Sequence, residues 1–265
     1  MSFERQTPDL PHVSVVLTTR DRPRFLNIVL RCYTEQTYPN RDLIVVDDGS
    51  DFPVDESRIE QLGGRVVRAA AGSSIGAKLN AGIEVARGPL IQKMDDDDWY
   101  HPRFLETLVR KRTETMYDVC LPALTFIMPF LFFELSTWAI RRSVDFNVPG
   151  ATLMFDRDDW RERPFRNLPQ DEDVWYYRDH RDMGRQITPV GEVELFLAIR
   201  HRGVSGDRGH TWTSHHGHGS LEDYLQSRPF HDRRPEEILP EWALKAYREI
   251  RAGMIMRQAD PIDTA

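Results

Sequence analysis

From residue 13 to residue 110 the sequence alternates between short β-branched runs and amphipathic stretches, and several of the runs end in polar or acidic residues. Val13-Ser14-Val15-Val16-Leu17, Asp42-Leu43-Ile44-Val45-Val46, Arg65-Val66-Val67-Arg68 and Leu90-Ile91-Gln92-Lys93-Met94 read as strands. Between the first two, Leu26, Val29, Leu30 and Tyr33 recur at helical spacing behind Pro23, a residue suited to a helix start. Leu79, Gly82, Ile83 and Ala86 form a second helical face, and Pro102 opens a third helix with Leu105, Leu108 and Val109 inward. Strands and helices that alternate through short loops build a mostly parallel sheet covered by helices. Ligands of such sheets bind at the carboxyl ends of the strands. Here those ends carry Thr18-Thr19, Asp47-Asp48 and Asp95-Asp96-Asp97-Asp98.

Four consecutive carboxylates repel one another, and a divalent cation offsets that repulsion while binding carboxylate oxygens directly. Asp95 and Asp97 are spaced to project to one side of the chain. One can bind Mg²⁺ or Mn²⁺; the other can accept from a ribose hydroxyl or share the metal. Asp96 and Asp98 read as loop or cap residues of the Pro102 helix, with Asp96 counted among the nucleotide-sugar contacts. A carboxylate at the exit of the second strand can accept from the N3–H of a uracil or thymine ring. Asp47-Asp48-Gly49-Ser50 is equally good turn chemistry.

Four segments together resemble the family 2 glycosyltransferases: VSVVLTTRDRP (Val13–Pro23), DLIVVDDGSD (Asp42–Asp51), GAKLNAGIEVARG (Gly76–Gly88) and DDDDWYHP (Asp95–Pro102). They occur in the family's order and approximate spacing over roughly residues 13–110. The resemblance implies an α/β chain with the A-type glycosyltransferase (GT-A) fold, a Rossmann-like mostly parallel sheet flanked by helices, with a smaller mixed acceptor-binding half. Residues 1–118 would bind the donor and 119–265 the acceptor, as one continuous domain. The implied activity is metal-dependent, inverting transfer of a sugar from a nucleotide-diphospho-sugar, with a UDP-sugar favoured, to an acceptor hydroxyl.

On that resemblance Asp47 looks like the carboxylate on the nucleobase, with Asp48 beside it. Thr18 and Arg22 look like first-loop contacts to the nucleotide, and Lys78 and Asn80 lie over the ribose or diphosphate. Asp95 resembles the first acid of the DxD motif and Asp97 the metal ligand, for Mn²⁺ or Mg²⁺. Asp173 looks like the general base, supported by Glu172, with Asp171 as a competitor. His210 resembles the C-terminal histidine that ligates metal or contacts the diphosphate in such enzymes, with His201 second. The family usually has proline at Thr18 and tyrosine-asparagine at Arg20-Asp21, so this chain departs from the pattern in the first loop. Two other readings compete: a nucleotidyltransferase on a similar fold, disfavoured by the poor phosphate loop at Thr18-Thr19-Arg20, and a non-catalytic sugar-nucleotide or glycan-binding module.

Beyond residue 121 the alternation lapses. Thr152-Leu153-Met154-Phe155 reads as a short strand, Asp171 starts a helix, and Trp242 to Ile250 suggests a C-terminal helix. The segment from Arg200 to His218 is rich in Gly, His and Arg and reads as a functional loop in which Arg200, Arg202 and Arg208 could neutralise diphosphate charge. Its histidines lack the Cys or acid that would complete a zinc site. Val119 to Ile140 is strongly apolar, but Pro122, Pro129 and Glu134 interrupt it. It reads as two strands with a turn rather than a span, which needs about 20 apolar residues. A peripheral contact with membrane or with an apolar acceptor is the alternative.

The net charge of −7 argues against a nucleic-acid partner. Cys32 and Cys120 form neither a CxxC nor a disulfide framework, which suits a reducing cytosol. The first residues lack the pattern of a signal peptide. Together these readings give a cytoplasmic enzyme, with membrane contact no more than peripheral.

Overall fold

The computed structural model describes residues 10–49, 51–119, 123–144, 148–201 and 225–259. His210, Arg202 and Arg208 lie outside the described residues, as does nearly all of the Arg200–His218 segment. The alternation expected of the first half is present. β1 (Val13–Thr19), α1 (Pro23–Thr34), β2 (Arg41–Asp47), α2 (Glu56–Gln61), β3 (Arg65–Arg68), α3 (Ile75–Glu84), β4 (Leu90–Asp95), the short β5 (Trp99–Tyr100) and α4 (Phe104–Val119) follow in order. β1 pairs in parallel with both β2 and β4, and β2 with β3. Every residue of β1 is buried, as a strand covered on both faces must be. In register, Thr19 stands opposite Asp47 and Thr18 opposite Asp95. The three polar strand exits therefore come level at one edge of the sheet.

The second half does not form a separate layer. It contributes β6 (Ala123–Ile127), β7 (Leu131–Glu134), β8 (Ala139–Arg142), β9 (Met154–Asp156), α5 (Arg157–Glu162), α6 (Glu172–Asp182), β10 (Gln186–Val190) and β11 (Phe196–Arg200). Strands β6, β9 and β10 extend the main sheet to the order β10-β6-β9-β4-β1-β2-β3, with β9 antiparallel to β4 and β6. A smaller sheet, β5-β11-β7-β8, stands beside it. The two halves expected to divide at residue 118 thus share one sheet. The C-terminal helix is α8 (Glu241–Ala259), after the short α7 (Pro235–Ile238).

Most of the described part of the apolar Val119–Ile140 stretch is core. β6 joins the main sheet while β7 and β8 form a hairpin in the small one, and Leu131, Phe132 and Phe133 are buried. Among the described residues no helix is long and apolar enough to cross a membrane. The strand expected over Thr152–Phe155 begins later, at Met154, because Gly150–Thr152 form a 3-10 turn. The Thr152 hydroxyl locks that turn, donating to the Pro149 carbonyl at 3.0 Å and accepting from the Ile127 N–H at 3.1 Å.

Candidate active site

A cleft of about 450 Å³ opens where the carboxyl ends of β1, β2 and β4 meet the N-terminus of α6 and the small sheet. Asp95, Asp96, Asp97 and Asp98 all line it, yet only Asp95 retains appreciable exposure. Buried acids need partners, and each has them, with Arg22 shared by two of the four. Asp96 accepts from the Thr19 hydroxyl at 2.6 Å and from Arg22 at 2.8 Å. Asp97 accepts from Arg22 at 3.0 Å, and the His201 Nε2 lies 3.2 Å from the same oxygen. Asp98 accepts from the Ile199 N–H at 2.8 Å and so holds β11 against the acidic turn. Asp95 meets the Lys93 ammonium at 2.6 Å. Asp96 and Asp98 are therefore not helix caps: they join the first loop and the small sheet to the turn. Burial holds the carboxyls of Asp96 and Asp98 above the usual range, and Arg22 opposes that shift at Asp96.

The exit of β2 separates two adjacent acids. Asp47, expected on the nucleobase, does not line the cleft. Its oxygens accept from the backbone N–H groups of Gly49 and Val54, both at 2.8 Å, and from the Arg68 guanidinium. It is committed to its own loop. Asp48 faces the cleft instead, with Lys78 Nζ 2.8 Å from one oxygen, and with the Gly72 N–H at 3.2 Å and Arg20 at 3.8 Å from the other. Asp47→Asn should accordingly lower stability by about 1.5–3 kcal/mol, the range for hydrogen bonds to a charged group, while nucleotide affinity stays close to wild type. A denaturant melt and a calorimetric UDP titration would check both halves.

Lys78 is buried, and it lines the cleft together with Thr18 and Arg22. Asn80 does not. Its carbonyl oxygen accepts from the Trp160 Nε1 at 2.8 Å and the Phe165 N–H at 3.1 Å, and its amide donates to the Phe165 carbonyl at 2.8 Å. Both ends of that side chain clamp the 160–165 segment, so Asn80 is a packing residue behind the site.

Across the cleft, Asp171 caps α6 in the left-handed conformation (φ 59°, ψ 17°), which starts the helix with two further acids at its N-terminus. Glu172 Oε1 lies 3.7 Å from Lys93 Nζ. Asp173 accepts from the Gly150 N–H at 3.1 Å and from the Val174 N–H at 2.7 Å. Burial, with the neighbouring Asp173 charge behind it, pushes the Glu172 carboxyl up to about 8 against the pull of Lys93. Burial raises Asp173 too, and Lys93 again opposes it. A carboxylate whose proton affinity is raised is better suited to take a proton from a hydroxyl. A Cβ at Gly150 would come within 2.2 Å of Asp173 Oδ2. Gly150→Ala should therefore displace that carboxylate and slow transfer about 100-fold, the effect of roughly 1 Å of misplacement at a reacting group. A single-turnover assay beside a UDP titration reads this out.

Asp97 and His201 offer a carboxylate and an imidazole side by side, a mixed donor pair that accepts Mn²⁺ more readily than Mg²⁺, which prefers oxygen throughout. Among the described residues no three His, Cys, Asp or Glu side chains form a ready metal-binding group. Diphosphate oxygens and water would complete the coordination of an ion held there. His201, second to His210 on the family resemblance, stands directly after β11 and beside Asp97. Lys93 and Arg20 were missed as site residues. A lysine inside an otherwise apolar strand, two positions before Asp95, was the visible clue for Lys93.

A mostly parallel sheet with an acid-lined cleft at its strand exits, faced by a smaller mixed sheet, is the architecture of the GT-A glycosyltransferases. Residues 14–166 match the profile of Glycosyl transferase family 2, and the chain belongs to that family. It is 29% identical over 118 residues to EpsH of Bacillus subtilis (42% of this chain, 34% of EpsH). To the glycosyltransferase GlyG of Streptococcus pneumoniae it is 31% identical over 116 residues (40% of this chain, 37% of GlyG). The matches thus take in about a third of each relative's own length. Among solved structures, S. aureus TarS superposes with a TM-score of 0.57 at 15% identity, covering 72% of this chain and 37% of TarS. The mannosyltransferase PcManGT of Pyrobaculum calidifontis, solved with GDP-Man and Mn²⁺, gives 0.55 at 18% identity over 72% of this chain and 56% of that one. These two likenesses concern the fold.

Proposed function

We propose that the protein is a metal-dependent, inverting glycosyltransferase that moves a sugar from a nucleotide-diphospho-sugar to an acceptor hydroxyl. The observation that carries this reading is the single cleft shared by Asp48 and Lys78, the Asp95–Asp98 turn, and Asp173 on the far wall. Asp173 takes the proton of the acceptor hydroxyl as its oxygen attacks the anomeric carbon. The bond from that carbon to the diphosphate oxygen breaks, and the nucleoside diphosphate leaves with the electron pair. Asp95 accepts from donor hydroxyls. Asp97 and His201 would hold the divalent ion, which when bound neutralises charge on the departing diphosphate. Arg200, at the mouth of the small sheet, adds positive charge to the same cleft.

Asp48 takes over the base-contacting role first assigned to Asp47. One of its oxygens carries Lys78 and the other faces the Gly72 N–H and Arg20. A remaining lone pair of that carboxylate, flanked by these donors, would accept the N3–H of uracil. On this reading the donor is a UDP-sugar. TarS has been solved with UDP and with UDP-GlcNAc, which is consistent with this preference.

A thermal-shift panel of nucleoside diphosphates and nucleotide sugars, with and without Mn²⁺, tests the reading because a ligand of the native state alone raises apparent stability. The expected result is a Mn²⁺-dependent shift with UDP and UDP-sugars, accompanied by slow hydrolysis of one of the sugars. Binding without turnover of any sugar would favour a binding module, and no shift with any nucleotide would sink the proposal.

A further inference from the structure

Lys93 stands inside β4, two residues before Asp95 and on the same side of the strand. Its side chain is 3% exposed, and an ammonium is buried in a central strand only where it is paired. Its Nζ lies 2.6 Å from Asp95 Oδ1 and 3.7 Å from Glu172 Oε1. Asp95 belongs to the donor side of the cleft. Glu172 begins the helix whose next residue is Asp173, on the acceptor side. One ammonium therefore reaches across the cleft floor from the strand that carries the donor acids to the helix that carries the base.

We propose that Lys93 is a positioning residue that fastens Asp95 to Glu172 and so sets the distance between the bound donor sugar and Asp173. The inference rests on the glycosyl-transfer reading above. Without that charge, Asp95, Glu172 and Asp173 face one another with nothing between them, and the N-terminus of α6 moves away from β4. The nucleotide subsite built on Asp48, Lys78 and Arg20 makes no use of Lys93, so nucleotide binding is separable from transfer.

The test uses the full chain, UDP with Mn²⁺ as the binding probe, and hydrolysis of UDP-glucose, or of whichever UDP-sugar the wild type turns over. Lys93→Met should hold UDP affinity within about threefold and lower kcat about 100-fold, the effect of a misplaced reacting group. Lys93→Arg, which keeps the charge, should retain at least about a tenth of the wild-type kcat. In a Glu172→Gln background, adding Lys93→Met should change kcat by less than about threefold, because residues that act through one contact are not additive. That comparison also decides the matter if the single Lys93→Met variant does not fold. Unimpaired hydrolysis by Lys93→Met, a parallel loss of UDP affinity, or a full additional loss in the Glu172→Gln background overturns the proposal. A wild type that turns over no nucleotide sugar overturns the transferase reading and this inference with it. Wild-type turnover beside an unimpaired Lys93→Met overturns this inference alone.

Discussion

Asp173→Asn is expected to abolish most transfer while leaving UDP binding intact. The substitution keeps the shape of the side chain, and its oxygen can still accept from the Gly150 or Val174 N–H that Asp173 now engages at 3.1 and 2.7 Å. What it loses is the capacity to take a proton, which for a positioned general base is worth about 10²- to 10⁴-fold in rate. The nucleotide contacts lie across the cleft at Asp48 and Lys78, so UDP affinity should not follow the rate down. Single-turnover transfer or donor hydrolysis, measured beside a UDP titration, separates the two. Wild-type rates in the variant would move the base to Asp171 or Glu172.

Asp97→Ala is expected to remove the dependence of nucleotide binding on Mn²⁺. Asp97 is buried between the Arg22 guanidinium and the His201 ring. Truncating it leaves Arg22 paired with Asp96 and removes the carboxylate that stands beside His201. Disturbing only the support of a metal ligand typically weakens metal affinity about 10- to 100-fold, so losing the ligand itself should reach the upper end or beyond. His201→Ala should act in the same direction with a smaller effect, since diphosphate oxygens or water can take its place. The readout is a Mn²⁺ titration of UDP affinity, which does not depend on turnover. An unchanged titration in Asp97→Ala would displace the ion from this corner of the cleft.

Of the residues expected at the site, some line the cleft and others, one or two positions away in sequence, turn from it. Asp47 and Asp48 are adjacent acids at a strand exit, and sequence offers no ground for preferring one. The turn aims Asp47 back at Gly49, Val54 and Arg68 and leaves Asp48 facing the cleft with Lys78. Asn80 sits two residues from Lys78 in one helix, yet about 200° of rotation separates them, so one lines the cleft while the other clamps Phe165. Among the acids of the 95–98 turn, the expected pairing of Asp95 with Asp97 understated how many are used. Asp96 and Asp98 each tie a different element to the site.

What the sequence determined by itself was the order of elements and the level at which the chemistry would sit. Strand periodicity, helix starts at proline and acids at strand exits are local properties, written within a few residues of where they act. They sufficed for a parallel sheet with its cleft at the carboxyl edge. The tertiary structure alone decided which partner each charge would meet. Lys93 reaches Glu172, Asp97 meets His201 and Asp173 rests on Gly150, and each pair joins segments far apart in the chain. Such contacts depend on how β4, the small sheet and the start of α6 pack together. A buried charge must find its counter-charge through that packing, because electrostatic pairing in a low-dielectric site depends on distance in space and not on separation along the chain.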